Sequence, residues 1–156
     1  EVHNLEKSKL HQFRKKHIAF VFQQFALMNQ YTVYENVELP LCIQNVPKKE
    51  RRKRVYEALE QMGIWELAKK MPAKISGGQQ QRCAIARALS SGNELILADE
   101  PTGALDVNNG NEIMNILEQL NIQGKTVVVI THDPKIAART QRILYMEDGR
   151  IVEHEA

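Results

Sequence analysis

Long apolar runs, paired cysteines and a strong charge of either sign are all missing from this chain, and each absence closes a class. No apolar stretch approaches the roughly 20 residues that cross a bilayer, and no charged segment with an apolar core opens the chain, so neither a span nor a signal peptide is expected. The only two cysteines, Cys42 and Cys83, sit in no metal or redox spacing. They are expected to be reduced packing residues of a cytosolic protein. A net charge of +2 lacks the concentrated basic excess of a dedicated nucleic-acid binder, so no nucleic-acid partner is expected. Also missing is the phosphate-cradling run G-x-x-x-x-G-K-[ST]. A tempting triplet, Gly124, Lys125 and Thr126, has Gln119 where the first glycine should be, and it follows a helical pattern and leads into a strand. That order is the reverse of the one a phosphate loop needs, and a helix C-cap followed by a strand start is expected instead.

What is present is enough for one domain. The 156 residues, 43% hydrophobic and 26% charged, can bury a single core. The chain starts at Glu1 without a methionine and is expected to be a piece of something longer. Residues 1 to 23 give a charged helical pattern with Leu5, Leu10 and Phe13, then the short run "IAFVF", which reads as a buried strand. Residues 24 to 75 are mostly helical: "ENVELPL" is interrupted by Pro40, and Val55, Leu59 and Met62 share one helical face. From Ser76 the pattern alternates: helix 79 to 90, strand 94 to 98, helix 109 to 121, strand 126 to 130, a short helix after Pro134, strand 142 to 146, the turn "EDGR", and a last strand near Ile151. Such alternation predicts an α/β fold with a parallel sheet covered on both faces. Ligands in such folds bind beyond the carboxyl ends of the strands.

Those ends are polar. The first strand runs into Gln23, the second into Asp99 and Glu100, and the third into Thr131, His132 and Asp133. Adjacent carboxylates at the end of an apolar strand are costly unless paired or bound to metal. Nucleotide hydrolases supply a reason, with the aspartate on Mg²⁺ and the glutamate orienting or deprotonating the attacking water. The plainer alternative is a turn before Pro101. In "KISGGQQQRCAIARAL", Ser76 and the N–H groups of Gly77 and Gly78 open a helix, where unpaired donors and the dipole favour an anion. Glycine allows that anion to come close.

On these residues the chain resembles the ATP-binding subunit of ABC transporters. "ISGGQQQR" is similar to the family signature, "LILADEP" to its Walker B strand, "GALD" to the D-loop, "ITHD" to the H-switch and "VFQQ" to the Q-loop, all in the family's order. The wording around "VFQQFALMNQYTVYENVELPL" looks most like the macrolide-exporter and lipoprotein-releasing branch. The resemblance implies a P-loop NTPase (RecA-like) core with an inserted α-helical subdomain, incomplete at its N-terminus, because the family's P-loop and adenine-stacking aromatic would lie before Glu1. It divides the chain into a core remnant at 1–23, a helical subdomain at 24–75, and the signature helix with the rest of the core at 76–156.

It also implies roles. Glu100 would be the catalytic base, Asp99 would support Mg²⁺, His132 would contact the γ-phosphate, and Gln23 would sense both and link them to a membrane partner. Ser76, Gly77, Gly78 and Gln79 would touch the ATP held by a second subunit, with Asp106 at the interface. The implied cofactors are ATP and Mg²⁺. The implied partners are a second ABC subunit, identical or paired, and an integral membrane permease at the cytoplasmic face of the inner membrane. A soluble ABC protein of the translation or DNA-repair kind is the alternative. The run "KKERRKR" is expected to be a solvated helix face, given the nearby glutamates. His11 and His17 are expected to be exposed, and Tyr34 and Trp65 to pack among the helices. By resemblance, Phe25 to about Leu41 would form the groove for a permease helix.

Overall fold

The computed structural model describes residues 6 to 152, so Leu5 lies outside it. Helix α1, Lys7–His17, leads directly into strand β1, Ile18–Phe22. Two helices follow, α2 at Val33–Ile43 and α3 at Lys48–Gln61, then short 3-10 turns at Trp65–Leu67 and Pro72–Lys74. Helix α4, Gly77–Ser90, is followed by β2 at Leu95–Asp99, α5 at Val107–Ile122, β3 at Thr126–Ile130 and the one-turn α6 at Pro134–Ala137. Strands β1, β2 and β3 form a parallel sheet in that order. The register pairs Phe20 with Leu97 and Leu97 with Val128.

Helix α4 is the hub. It packs on α2, α3, β1 and α5. Its buried Ile85 and Ala88 and the buried Ile113, Leu117 and Leu120 of α5 belong to one core with Ala19, Val21, Ile96 and Ala98 of the sheet. The opposite sheet face differs from the expectation of two covered faces. Phe20 and Phe22 stack at 5.7 Å and stay exposed, as do Val128 and Ile130. An uninterrupted apolar run reads the same whether one face is packed or both. Only the placement of helices separates the two cases.

The helical part is tied by polar anchors. Thr32 and Glu35 cap the start of α2 reciprocally. Asn36, fully buried, donates to the carbonyls of Met28, Tyr31 and Thr32 and accepts from the Met28 N–H, fixing the loop before the helix. Pro40 lies inside α2, in its last turn, where it has no N–H to donate to the Asn36 carbonyl. The "KKERRKR" face is laced by Arg51–Glu38 at 2.9 Å and Arg54–Glu50 at 2.8 Å. Tyr34 packs against the core, while Trp65 remains partly exposed in an edge contact with Tyr56. His11 is exposed, but His17 is only half-exposed, tilted against Phe13 at 4.7 Å. Cys83 is buried and its thiol is pushed up to about 12, which makes it inert. Cys42, by contrast, is exposed, because the buried stripe of α2 runs through Val33, Asn36, Val37 and Leu41.

The Gly124–Lys125–Thr126 triplet closes α5 onto β3, with Gly124 in the left-handed region at φ 95 and the Lys125 ammonium donating to the Asn93 carbonyl at 2.9 Å. The last strand pair also shifts. Strand β4 is Tyr145–Glu147, antiparallel to β5, Arg150–Val152, around a turn with Asp148 and Gly149 both at positive φ. It begins later than the expected 142 to 146. The Thr140 hydroxyl lies at 2.8 Å and 3.2 Å from the Ala137 and Arg142 carbonyls, which keeps the preceding segment turned.

Candidate functional site

Phe22, Asp99 and Ile130 are register partners across the three strands. The next residue on each strand therefore leaves the sheet at the same level: Gln23, Glu100 and Thr131. The Glu100 N–H continues the ladder by donating to the Ile130 carbonyl at 2.9 Å, and its backbone then turns left-handed at φ 44. A left-handed residue with a side chain costs about 1 kcal/mol, which its surroundings must offset.

The carboxylate of Glu100 supplies part of that offset. Thr131 donates its hydroxyl to Oε2 at 3.1 Å, the His132 N–H donates to Oε1 at 2.9 Å, and His132 Nδ1 lies 2.6 Å from the same oxygen. Burial pushes this carboxyl up, but the bonds from the His132 ring, the His132 N–H and the Thr131 hydroxyl together hold it below its ordinary value. It is therefore ionised at neutral pH. The His132 side chain is 90% exposed against 20% for Glu100, so the imidazole caps the carboxylate from the solvent side.

Asp99 is exposed at the end of β2. Gln23 is exposed too, and its side chain lies over the loop that follows Glu100. A methyl group on Gly103 would stand 2.7 Å from Gln23 Nε2, so glycine there is what lets the amide settle. Gln23, Asp99, Glu100 and His132 thus share one edge of the sheet. Among the described residues no group of three or more His, Cys, Asp or Glu could hold a metal by itself. The donors at this edge are oxygens of Asp99, Glu100 and the Gln23 amide, the ligand type that Mg²⁺ takes in ones and twos alongside water and substrate phosphates.

A second locus lies where α4 and α5 begin. Ser76 Oγ accepts from the Gln79 N–H at 3.3 Å, and Gln79 Oε1 accepts from the Ser76 N–H at 3.0 Å, a reciprocal cap. The Ser76 carbonyl takes the Gln80 N–H. First-turn geometry leaves the N–H groups of Gly77 and Gly78 without partners inside the helix, Gly77 being half-buried and Gly78 buried against α5. Asp106 caps α5: its carboxylate accepts from the Asn109 N–H at 2.9 Å and from Asn109 Nδ2 at 2.6 Å, and these bonds hold it below its ordinary value. The two helix starts touch. A Cβ on Gly78 would stand 2.3 Å from Asn109 Oδ1. Gly77, Gly78, Gln79 and Asp106 are therefore brought together with Ser76 at the starts of the two helices. Thr131 and Asn109 are the residues that reading the sequence left without a role. Thr131 was detectable as the polar residue following a β-branched strand, while the Asn109 contact had no local signal.

Strand-end carboxylates, a histidine one strand across and a glycine-opened helix are thus carried by one α/β domain. Comparison with known proteins makes this specific, since residues 1–103 match the family described as "ABC transporter". The chain belongs to that family. It is 47% identical over 148 residues to a macrolide export ATP-binding/permease protein, MacB 2, of Yersinia pestis, and 44% identical over 154 residues to MacB of Escherichia coli K12. Those matches cover 95% and 99% of this chain but only 22% and 24% of the relatives, so the chain spans less than a quarter of their length. Among solved structures it resembles the ATP-binding cassette MJ0796 in a dimeric post-hydrolysis state bound to ADP and phosphate, with a TM-score of 0.82 and 46% identity, covering 97% of this chain and 68% of that one. It also resembles cbiO1 of Clostridium perfringens, part of the ABC transporter complex cbiONQ, with a TM-score of 0.84 and 32% identity, covering 95% and 60%. The α/β fold is thus that of an ABC cassette.

Proposed function

We propose that the chain is the part of an ABC ATPase that carries the catalytic base, the signature helix and the segment linking them to a permease. The observation that carries this reading is the Glu100 carboxylate, ionised and bonded to His132 at 2.6 Å, beside Asp99 at the end of β2. Glu100 accepts the proton of the attacking water, and His132 holds the carboxylate and reaches the terminal phosphate. Asp99 and Gln23 would hold Mg²⁺, which when bound neutralises phosphate charge. Ser76, Gly77, Gly78 and Gln79 present donors to the ATP of a second cassette, and Asp106 orders α5 beside them. Residues 1–23 and 76–156 belong to the ATPase core and 24–75 to a helical subdomain. The partners are a second cassette, identical or paired, and a membrane permease at the cytoplasmic face of the inner membrane. The substrate moved would be chosen by the permease, and export is favoured by the names of the MacB relatives.

Glu100→Gln in the intact protein tests the reading. The amide keeps the shape but cannot take the proton, so turnover falls by about 10²–10⁴-fold while ATP binding survives and an ATP-held dimer accumulates on sizing. Turnover near the unmodified rate would show that Glu100 is not the base.

A further inference from the structure

Just beyond Gln23 the chain passes through two left-handed residues in succession, Phe25 at φ 60 and Ala26 at φ 48. Both carry a Cβ, and such a bend persists only where its surroundings hold it. Helix α4 does so. Arg87 Nη1 donates to the Ala26 carbonyl at 2.5 Å and Nη2 to the Phe25 carbonyl at 3.0 Å. The planar fork of arginine spans two neighbouring acceptors in a way that a point charge cannot.

A second anchor on α4 holds the other side of Gln23. Gln81, fully buried, donates through Nε2 to the Pro101 carbonyl at 2.7 Å and the Phe22 carbonyl at 3.4 Å. Both partners are acceptors, so the amide cannot be reversed without setting oxygen against oxygen. Its Oε1 is left buried with no partner. Leaving a buried acceptor unpaired is unfavourable, so packing alone does not account for an amide here. What the amide accomplishes is a tie between the residue before Gln23 and the residue after Glu100.

We infer that Gln81 and Arg87 are positioning residues that clamp the Gln23 segment to α4, the helix whose N-terminus presents Ser76. The clamp makes the Gln23 segment and the Ser76 end of α4 one mechanical unit, so a displacement at either is carried to the other. Its consequence for turnover rests on the ATPase reading above; its consequence for the backbone does not.

The test uses the intact protein with Arg87→Met, Arg87→Lys, Gln81→Met and, as a control, Arg82→Met. Arg82 leaves the same helix toward the Met62 carbonyl at 3.0 Å and Glu112 at 2.7 Å, away from residues 22 to 26. Arg87→Met is expected to lower kcat by about ten- to a hundredfold, the scale of a small displacement of a positioned group, with KM for ATP changed less than about threefold. Hydrogen exchange at residues 24 to 28 accelerates in parallel. Gln81→Met behaves alike, and Arg87→Lys recovers part of both effects because its ammonium reaches one carbonyl well. Should Arg87→Met fail to fold, Arg87→Lys carries the same comparison. The clamp is overturned if exchange at 24 to 28 is unchanged in the Arg87 and Gln81 variants, or if Arg82→Met reproduces it. Its role in positioning is overturned if kcat stays within about twofold while exchange rises. An unmodified protein without ATP turnover would instead sink the functional reading, with the exchange data still deciding the clamp.

Discussion

The two loci of the candidate site are organised in opposite ways. At the Glu100 edge the carboxylate is already spoken for: both its oxygens accept bonds from Thr131 and His132, and the histidine covers it from solvent. At the Ser76 end the side chains satisfy one another through a reciprocal cap. To act on a water as proposed, the first locus must exchange one of these bonds. The second keeps its cap by bonds internal to the helix start, with Gly77 half-buried and Gly78 buried against Asn109. One is a carboxylate held by its neighbours, the proposed reagent, and the other a self-capped helix start, the proposed cradle.

The sharpest way to break that contrast is Ser76→Arg in the intact protein. A bulky cation at the mouth of the cradle is expected to abolish ATP-dependent dimerisation on sizing, while titration of a single subunit with fluorescent nucleotide is unaffected. Equal loss of both would mean that the cradle does not serve a second subunit.

Next in size is Gly78→Ala. The new methyl would meet Asn109 Oδ1 at 2.3 Å, and overpacking of this kind costs about 1–3 kcal/mol. Denaturant unfolding should show that loss, and Asn109→Ala in the same chain should return a substantial part of it. No recovery in the double variant would detach the α4 start from the α5 start.

The smallest effect probes the held carboxylate. The Glu100 carboxyl lies below its ordinary value of 4.5 in the folded chain. Its stabilising share is therefore fully present above that value and is lost as pH falls through the folded one. The stability gap between the unmodified protein and Glu100→Gln should close as pH drops below 4.5. A gap that held unchanged into the acid-unfolding range would mean that the His132 and Thr131 bonds do not favour the ionised carboxylate.

Much of the fold followed from local pattern. The apolar runs at 18 to 22, 95 to 99 and 126 to 130 are strands within a residue of their expected bounds. Helices α4 and α5 begin two residues before their expected starts because Ser76 and Asp106 act as caps and bring the next residues into the first turn. The uncovered sheet face, the exposure of Cys42 and the late start of β4 were not legible. The first two depend on which elements pack where, and the third on the Thr140 hydroxyl bonds that keep the preceding segment turned, and strand periodicity carries no information about either.

By itself the sequence determined the family, the order of the strands' polar ends and the residue types that meet there, because motif spacing and hydrophobic period are properties of the chain alone. Only the tertiary structure decided that Glu100 is bonded to His132 from the neighbouring strand, that Gly78 is reserved for Asn109, and that Gln81 and Arg87 hold the bend after Gln23. These contacts join residues from 31 to 62 positions apart in all but the shortest cases, such as Gln81 to Pro101 at 20. They come into being through parallel strand register and the packing of α4, which are set by burial summed over the whole core rather than by any local run of residues.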